Sequence, residues 1–104
     1  MANFTDARLE GDTLHLDLKI ARLDASIARG FKKECEEAWT DQVKTVVMDM
    51  AGVEFIDSSG IGALLNVYKK LPPGTPSARL VNVSPSVQSV IELLRLHRIF
   101  ELEA

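Results

Sequence analysis

The sequence predicts an α/β domain with a mixed sheet of four or five strands and with helices packed mainly on one face. Short, mostly apolar runs with strand-like patterns occur at residues 14–20 and 45–50. Other apolar residues recur three and four positions apart, as they do on the buried face of an α-helix. Strand and helix patterns that alternate after an initial hairpin are typical of such domains, and 104 residues suffice for one hydrophobic core.

The amino-terminal elements are predicted to be a hairpin and a helix. Apolar and polar residues alternate over residues 14–20, which predicts a strand with one buried face. A turn signal before it predicts that residues 4–9 pair back as the first strand. Helical spacing then predicts a helix over residues 26–39, capped by Ser26 or Asp24. Its charged residues are expected to form a solvated face: Lys32, Lys33, Glu34, Glu36 and Glu37.

The middle of the chain contains the most strand-like segment and the second helix. Residues 45–50 are nearly continuous in apolar side chains, which predicts a central strand that is covered on both sides. A short extended piece follows at residues 53–56. A helix is predicted over residues 59–70, with Leu64 and Leu65 facing the sheet.

The last third of the chain is predicted to add two strands and a helix. The proline-rich residues 71–77 form a connector, and residues 79–83 form a strand. Ser84 followed by proline is a strong helix start, which places a third helix over residues 85–95. Residues 99–102 complete the sheet. The apolar stripe of the third helix is predicted to be Val87, Val90, Ile91 and Leu94.

Charge, hydropathy and cysteine content argue against nucleic-acid binding, membrane insertion and secretion. A net charge of −3 gives no electrostatic footprint for nucleic acid. No window approaches the ~20 apolar residues that a membrane span needs, so no membrane insertion is expected. The chain start lacks the basic and apolar regions of a signal peptide. Its single cysteine, Cys35, is consistent with a reducing cytoplasm.

The sequence carries no recognisable catalytic constellation. Cys35, His15 and His97 are too few for a zinc site. The Gly-x-Ser-x-Gly elbow of serine hydrolases is missing, and so are the Lys-Ser/Thr pair of a nucleotide-binding P-loop and the third glycine of a dinucleotide motif. We therefore expect a protein that is not an enzyme and that needs no metal or cofactor.

The segment Asp57-Ser58-Ser59-Gly60 stands where the second helix is predicted to begin. A helix N-terminus offers unpaired N–H donors and the positive end of the helix dipole, so a phosphate added to a serine there would be well placed. The same residue types are also common as plain helix caps. Both interpretations follow from the residues alone.

Three segments together resemble the STAS family, in particular its small bacterial anti-sigma factor antagonists. They are residues 47–65, residues 81–87 and residues 93–100, and Leu23-Asp24 before the first helix adds to the likeness. The resemblance covers nearly the whole chain.

The resemblance implies partner switching. In that family the unphosphorylated domain binds an anti-sigma factor, which is also a serine kinase of the histidine-kinase-like ATPase fold. Phosphorylation releases the complex, and a PP2C-type phosphatase restores the domain. By motif position the modified residue is Ser58, with Ser59 as the local alternative. The docking surface would include Asp24, Asp57, Ser59, Gly60, Ile61 and Gly62.

Two departures from the family pattern bear on the partner. The frequent glycine-acid pair is replaced here by Ala21-Arg22, and the usual glycine-rich linker by residues 72–76. The main alternative is a non-phosphorylated STAS scaffold or regulatory subunit of a signalling or transport complex, in which Ser58 and Ser59 merely cap the helix. A small nucleotide-binding protein would depend on Gly60-x-Gly62 alone.

Overall fold

The computed structural model describes residues 4–74 and 77–104. These residues form strands, three α-helices and a short 3-10 helix over Leu96–Arg98. The α-helices are α1 (Ala25–Ala38), α2 (Ser58–Lys70) and α3 (Pro85–Leu93). The strands are β1 (Thr5–Glu10), β2 (Thr13–Leu18), β3 (Arg22–Leu23), β4 (Thr45–Asp49), β5 (Phe55–Ile56), β6 (Ser77–Val81) and β7 (Phe100–Leu102).

The main sheet has five strands in the order β1-β2-β4-β6-β7. The hairpin strands β1 and β2 are antiparallel, whereas β2, β4, β6 and β7 are parallel neighbours. The predicted mixed sheet and the central place of residues 46–48 are therefore confirmed. The short strands β3 and β5 pair with each other in a separate two-stranded parallel ribbon.

Only one face of the main sheet is buried. Leu14, Val46, Ala78 and Phe100 lie in one row across the parallel strands, and all four are buried. On the opposite face Val47 is only half-buried, so the prediction that the central strand is covered on both sides is wrong. The helices pack on the same face as the buried row. The apolar run of β4 looked continuous in the sequence because Val47, which faces away from the helices, is also apolar.

The helices begin and end within two residues of their predicted limits, but two side chains differ from the prediction. In α2, Leu64 is fully buried whereas Leu65 is only partly buried. Ala63 and Val67 are buried with Leu64, because α2 packs against α1. The Tyr68 ring of α2 also lies edge-on against Phe100 of β7 in the main sheet. Leu94 is predicted to lie on the apolar stripe of the third helix, but α3 ends at Leu93 and Leu94 is 51% exposed.

Glu34 also differs from its prediction, because it is not simply part of a solvated face. Its carboxylate accepts hydrogen bonds from the backbone N–H of Phe4, at 2.9 and 3.0 Å to its two oxygens, and of Thr5 at 2.9 Å. This half-buried carboxylate thus ties α1 to the start of β1. Of the predicted proline-rich connector, Thr75 and Pro76 lie outside the described residues.

Candidate functional site

The first two helices begin side by side. In the β3–β5 ribbon Arg22 pairs with Phe55 and Leu23 with Ile56, and each strand leads directly into a helix. The backbone N–H of Asp57 donates to the carbonyl of Leu23 at 3.3 Å. The ribbon therefore brings the two cap residues, Asp24 of α1 and Asp57 of α2, to one edge of the molecule.

Asp57 is the N-cap of α2, and it leaves the two serines without a capping role. Its Oδ1 accepts from the backbone N–H of Gly60 at 3.0 Å, and its carbonyl accepts from Ile61 N–H at 2.9 Å. Ser58 and Ser59 follow as the first two helical residues, and both are exposed. The hydrogen bonds of the described residues include none to either serine hydroxyl. The plain capping interpretation of this segment therefore holds for Asp57, and it does not hold for Ser58 or Ser59.

Asp24 holds α1 in a similar way and is joined to an exposed cation. Its Oδ1 accepts from the N–H of Ser26 at 3.1 Å and from its hydroxyl at 2.6 Å. Arg22 Nε lies 3.3 Å from Asp24 Oδ2. The hydrogen bond from the Ser26 hydroxyl, helped by Arg22, holds the pKa of Asp24 below its ordinary value.

Arg22 also covers an exposed aromatic ring. Its guanidinium carbon lies 4.1 Å from the centroid of Phe55, and the Phe55 side chain is 39% exposed. Sequence reasoning noted Arg22 as a departure from the family pattern but missed Phe55. Only the cross-strand register brings the two together, so no local sequence signal could have identified the pair.

The remaining predicted site residues differ in what they can contact. Gly60 is buried, and Ile61 is only 6% exposed, so their side-chain positions belong to the core. Gly62 is exposed on α2, and a Cβ added there would meet no heavy atom of the described residues within 4 Å. The structure therefore brings Asp24, Asp57 and the two serines together at the surface, with Gly60 and Ile61 beneath them.

A groove between α1 and α2 adjoins this surface, and the sequence did not predict it. Arg29, Lys32 and Lys33 line it from α1, and Ser59 and Gly62 line it from α2. The sequence alone predicts a plain solvated face for two of these cations, Lys32 and Lys33. The available signal was the spacing of the three cations, which places them on one face of a helix.

Comparison with known proteins identifies the family. The STAS domain model matches residues 8–104. The chain belongs to the STAS domain family. A similar curated protein is the anti-sigma F factor antagonist of Paenibacillus polymyxa, which is 26% identical over 97 residues, covering 91% of this chain and 74% of that protein.

Solved STAS structures show the same fold. The crystal structure of an anti-sigma factor antagonist from Mycobacterium paratuberculosis has a TM-score of 0.80 at 23% identity, covering 95% of this chain and 83% of that one. The Bacillus cell fate determinant SpoIIAA in its phosphorylated form has a TM-score of 0.71 at 22% identity, covering 96% and 90%.

These relatives confirm the predicted resemblance to STAS antagonists. The relative from Paenibacillus polymyxa is named as an antagonist and not as an enzyme, in agreement with the prediction that this chain is not an enzyme. Within residues 4–74 and 77–104, no helix has the length and apolar character that crossing a bilayer requires.

Proposed function

We propose that this STAS domain is a cytoplasmic anti-sigma factor antagonist that works by partner switching. Its unphosphorylated form binds an anti-sigma factor that is also a serine kinase of the histidine-kinase-like ATPase fold. Phosphorylation of Ser58 releases that partner, and a PP2C-type phosphatase restores binding. The antagonist names of its relatives support this role, as does the phosphorylated form of SpoIIAA.

The observation that carries the proposal is the division of roles at the start of α2. Asp57 makes the capping bond to Gly60, so the exposed Ser58 hydroxyl is available to a kinase without loss of the cap. In the transfer, the Ser58 oxygen forms a bond to the γ-phosphorus of ATP as the bond to the β-phosphate oxygen breaks. ADP leaves, and the hydroxyl proton passes to the kinase.

The added charge explains release. Phosphoserine carries about −1.5 to −2 charges at neutral pH, and it would stand next to Asp57 on the surface shared with Asp24. A partner that closes over this surface would have to desolvate the phosphate or face it with its own charges. A free-energy cost of ~1.4 kcal/mol weakens binding tenfold, so a modest penalty suffices to separate the complex.

The test combines phosphorylation with binding. The protein is incubated with each purified anti-sigma factor kinase of its source organism and Mg-ATP, and the modified residue is mapped by mass spectrometry. Binding is then titrated by calorimetry. We expect phosphate on Ser58, partner binding by Ser58→Ala that persists in the presence of ATP, and affinity reduced about tenfold or more in Ser58→Glu.

Ser89→Glu provides the matched control, because it adds the same charge to an exposed serine on α3. It should bind like wild type. Phosphate found only at a distant residue, or equal affinity for Ser58→Glu and wild type, would reject the switch. The scaffold function, in which no phosphorylation controls binding, would then be the better explanation.

A further inference from the structure

The groove between α1 and α2 is an open cavity of about 580 Å³. Three cations line it from the α1 side: Arg29, Lys32 and Lys33. On the α2 side Ser59 and Gly62 form part of the wall, whereas Ser58 lies outside it. One of the two exposed serines therefore shares a groove with three positive charges.

These cations are not neutralised by the protein itself. Within residues 4–74 and 77–104, none of the three lies within 4.0 Å of a carboxylate, whereas Arg8, Lys19, Arg22 and Arg79 each do. Among the described residues that line the groove, Glu36 is the one carboxylate. The groove is therefore a positive site on a chain whose net charge is −3.

The groove floor permits close approach of another chain. Ala28 and Ala63 are small and buried. The space above Gly62 is open, because a Cβ there would meet no heavy atom within 4 Å in the part of the chain that the structure describes. A positive wall on the α1 side of such a floor is complementary to an extended or helical segment that carries carboxylates.

We propose that this groove binds an acidic segment of the partner protein. Arg29, Lys32 and Lys33 pair with the carboxylates of that segment. The same arrangement explains how phosphorylation of either serine weakens partner binding, an explanation that rests on the proposed function. A phosphate at Ser59 would lie in the groove and compete for the cations. A phosphate at the neighbouring Ser58 would lie outside the groove and lower its positive potential from there.

A peptide titration tests the groove without any knowledge of the partner. The 15N-labelled protein is titrated with a helical peptide rich in glutamate, and with the same peptide carrying glutamine instead, at ~0.01 M salt, where the screening length is about 30 Å. We expect saturable shifts of the amide signals of Arg29, Lys32, Lys33, Ser59 and Gly62, and only with the glutamate peptide.

Two charge reversals make the test specific. Lys33→Glu reverses a groove cation, and Lys44→Glu reverses an exposed lysine in the loop before β4, so that both change the net charge equally. Lys33→Glu should abolish the shifts, and Lys44→Glu should preserve them. No binding of the glutamate peptide, shifts spread over all basic surfaces, or equal loss in the two variants would overturn the proposal.

The regulatory step is tested with the same peptide. Ser59→Glu and Ser58→Glu should each weaken the titration, and Ser59→Glu should do so more strongly because Ser59 lines the groove. Titrations unchanged in both variants would overturn competition by phosphate. These results do not depend on any kinase. Failure of kinase modification at Ser58 would reject the proposed function and leave the binding of an acidic segment by the groove intact, whereas a Ser58 switch with an inert groove would reject only this inference.

Discussion

Gly60 and Gly62 both lie near the start of α2, yet alanine should have opposite effects at the two positions. A Cβ at Gly60 would overlap the carbonyl oxygen of Leu23, and it would lie 2.8 Å from Ile56 Cγ1 and 3.0 Å from the Leu23 carbonyl carbon. A Cβ at Gly62 would meet no atom of residues 4–74 and 77–104 within 4 Å. The two substitutions are chemically identical, so they isolate the close contact between α2 and β3.

The free energies follow from two opposing effects. Replacing glycine by alanine within a helix stabilises it by roughly 0.5–1 kcal/mol, because an alanine loses less conformational entropy on folding than a glycine does. The free energy of unfolding of Gly62→Ala should therefore rise by that amount. Overpacking costs about 1–3 kcal/mol, and at Gly60 the obstacle is backbone that cannot rotate away. We expect the upper end of this cost, so that Gly60→Ala loses about 2 kcal/mol in net stability.

Urea denaturation followed by far-ultraviolet circular dichroism measures both variants under the same conditions. The free energies of unfolding should differ by about 3 kcal/mol, which corresponds to more than about 10 °C in melting temperature for a chain of this size. If Gly60→Ala is as stable as Gly62→Ala, α2 does not pack closely on the β3–β5 ribbon. The proposed position of the site, which depends on that packing, would then be wrong as well.

Other variants test separate parts of the structure. Leu64→Ala should lose about 2–5 kcal/mol of stability, and Leu65→Ala clearly less because it is only partly buried; equal losses in urea denaturation would contradict this orientation of α2. Arg95 has a left-handed backbone (φ 60°) just after α3, so Arg95→Gly should raise the free energy of unfolding by about 0.5–1 kcal/mol, and a decrease would argue against that conformation. The lowered pKa of Asp24 means that its carboxylate stabilises the fold above pH ~4 and that this contribution disappears as the pH falls through its folded-state pKa. Asp24→Asn should therefore lose less stability than wild type between pH 6 and pH 2 in urea denaturation, and an unchanged pH profile would rule out this role.

Local chemistry made much of the fold predictable. Asp57 and Ser84 cap their helices with side-chain oxygens, a short-range preference that is visible in the sequence. The alternation in β2 likewise identified its buried face. The covering of β4 was not predictable from its composition, because which face a helix covers depends on connections elsewhere in the chain.

The site was predictable only where it is local. Ser58 and Ser59 were located from their own neighbours, together with the family resemblance. The contact of Arg22 with Phe55 depends on the register of two strands of two residues each, which are too short to give a pattern. The groove arises from the packing of α1 on α2. The spacing of its three cations along α1 could be recognised in the sequence, but the opposite wall, which α2 provides, could not.

The cap geometry also separates a binding switch from a folding defect. Because Asp57 makes the bond to Gly60, a glutamate at Ser58 removes no hydrogen bond of the described residues. A negative charge in the first turn of a helix is favourable, by about 0.3–1 kcal/mol, and the adjacent Asp57 offsets part of that gain through repulsion. Ser58→Glu should therefore unfold at the same urea concentration as wild type, or slightly higher, while it binds its partner more weakly. Loss of stability together with loss of binding would assign the effect to the fold instead of to the interface.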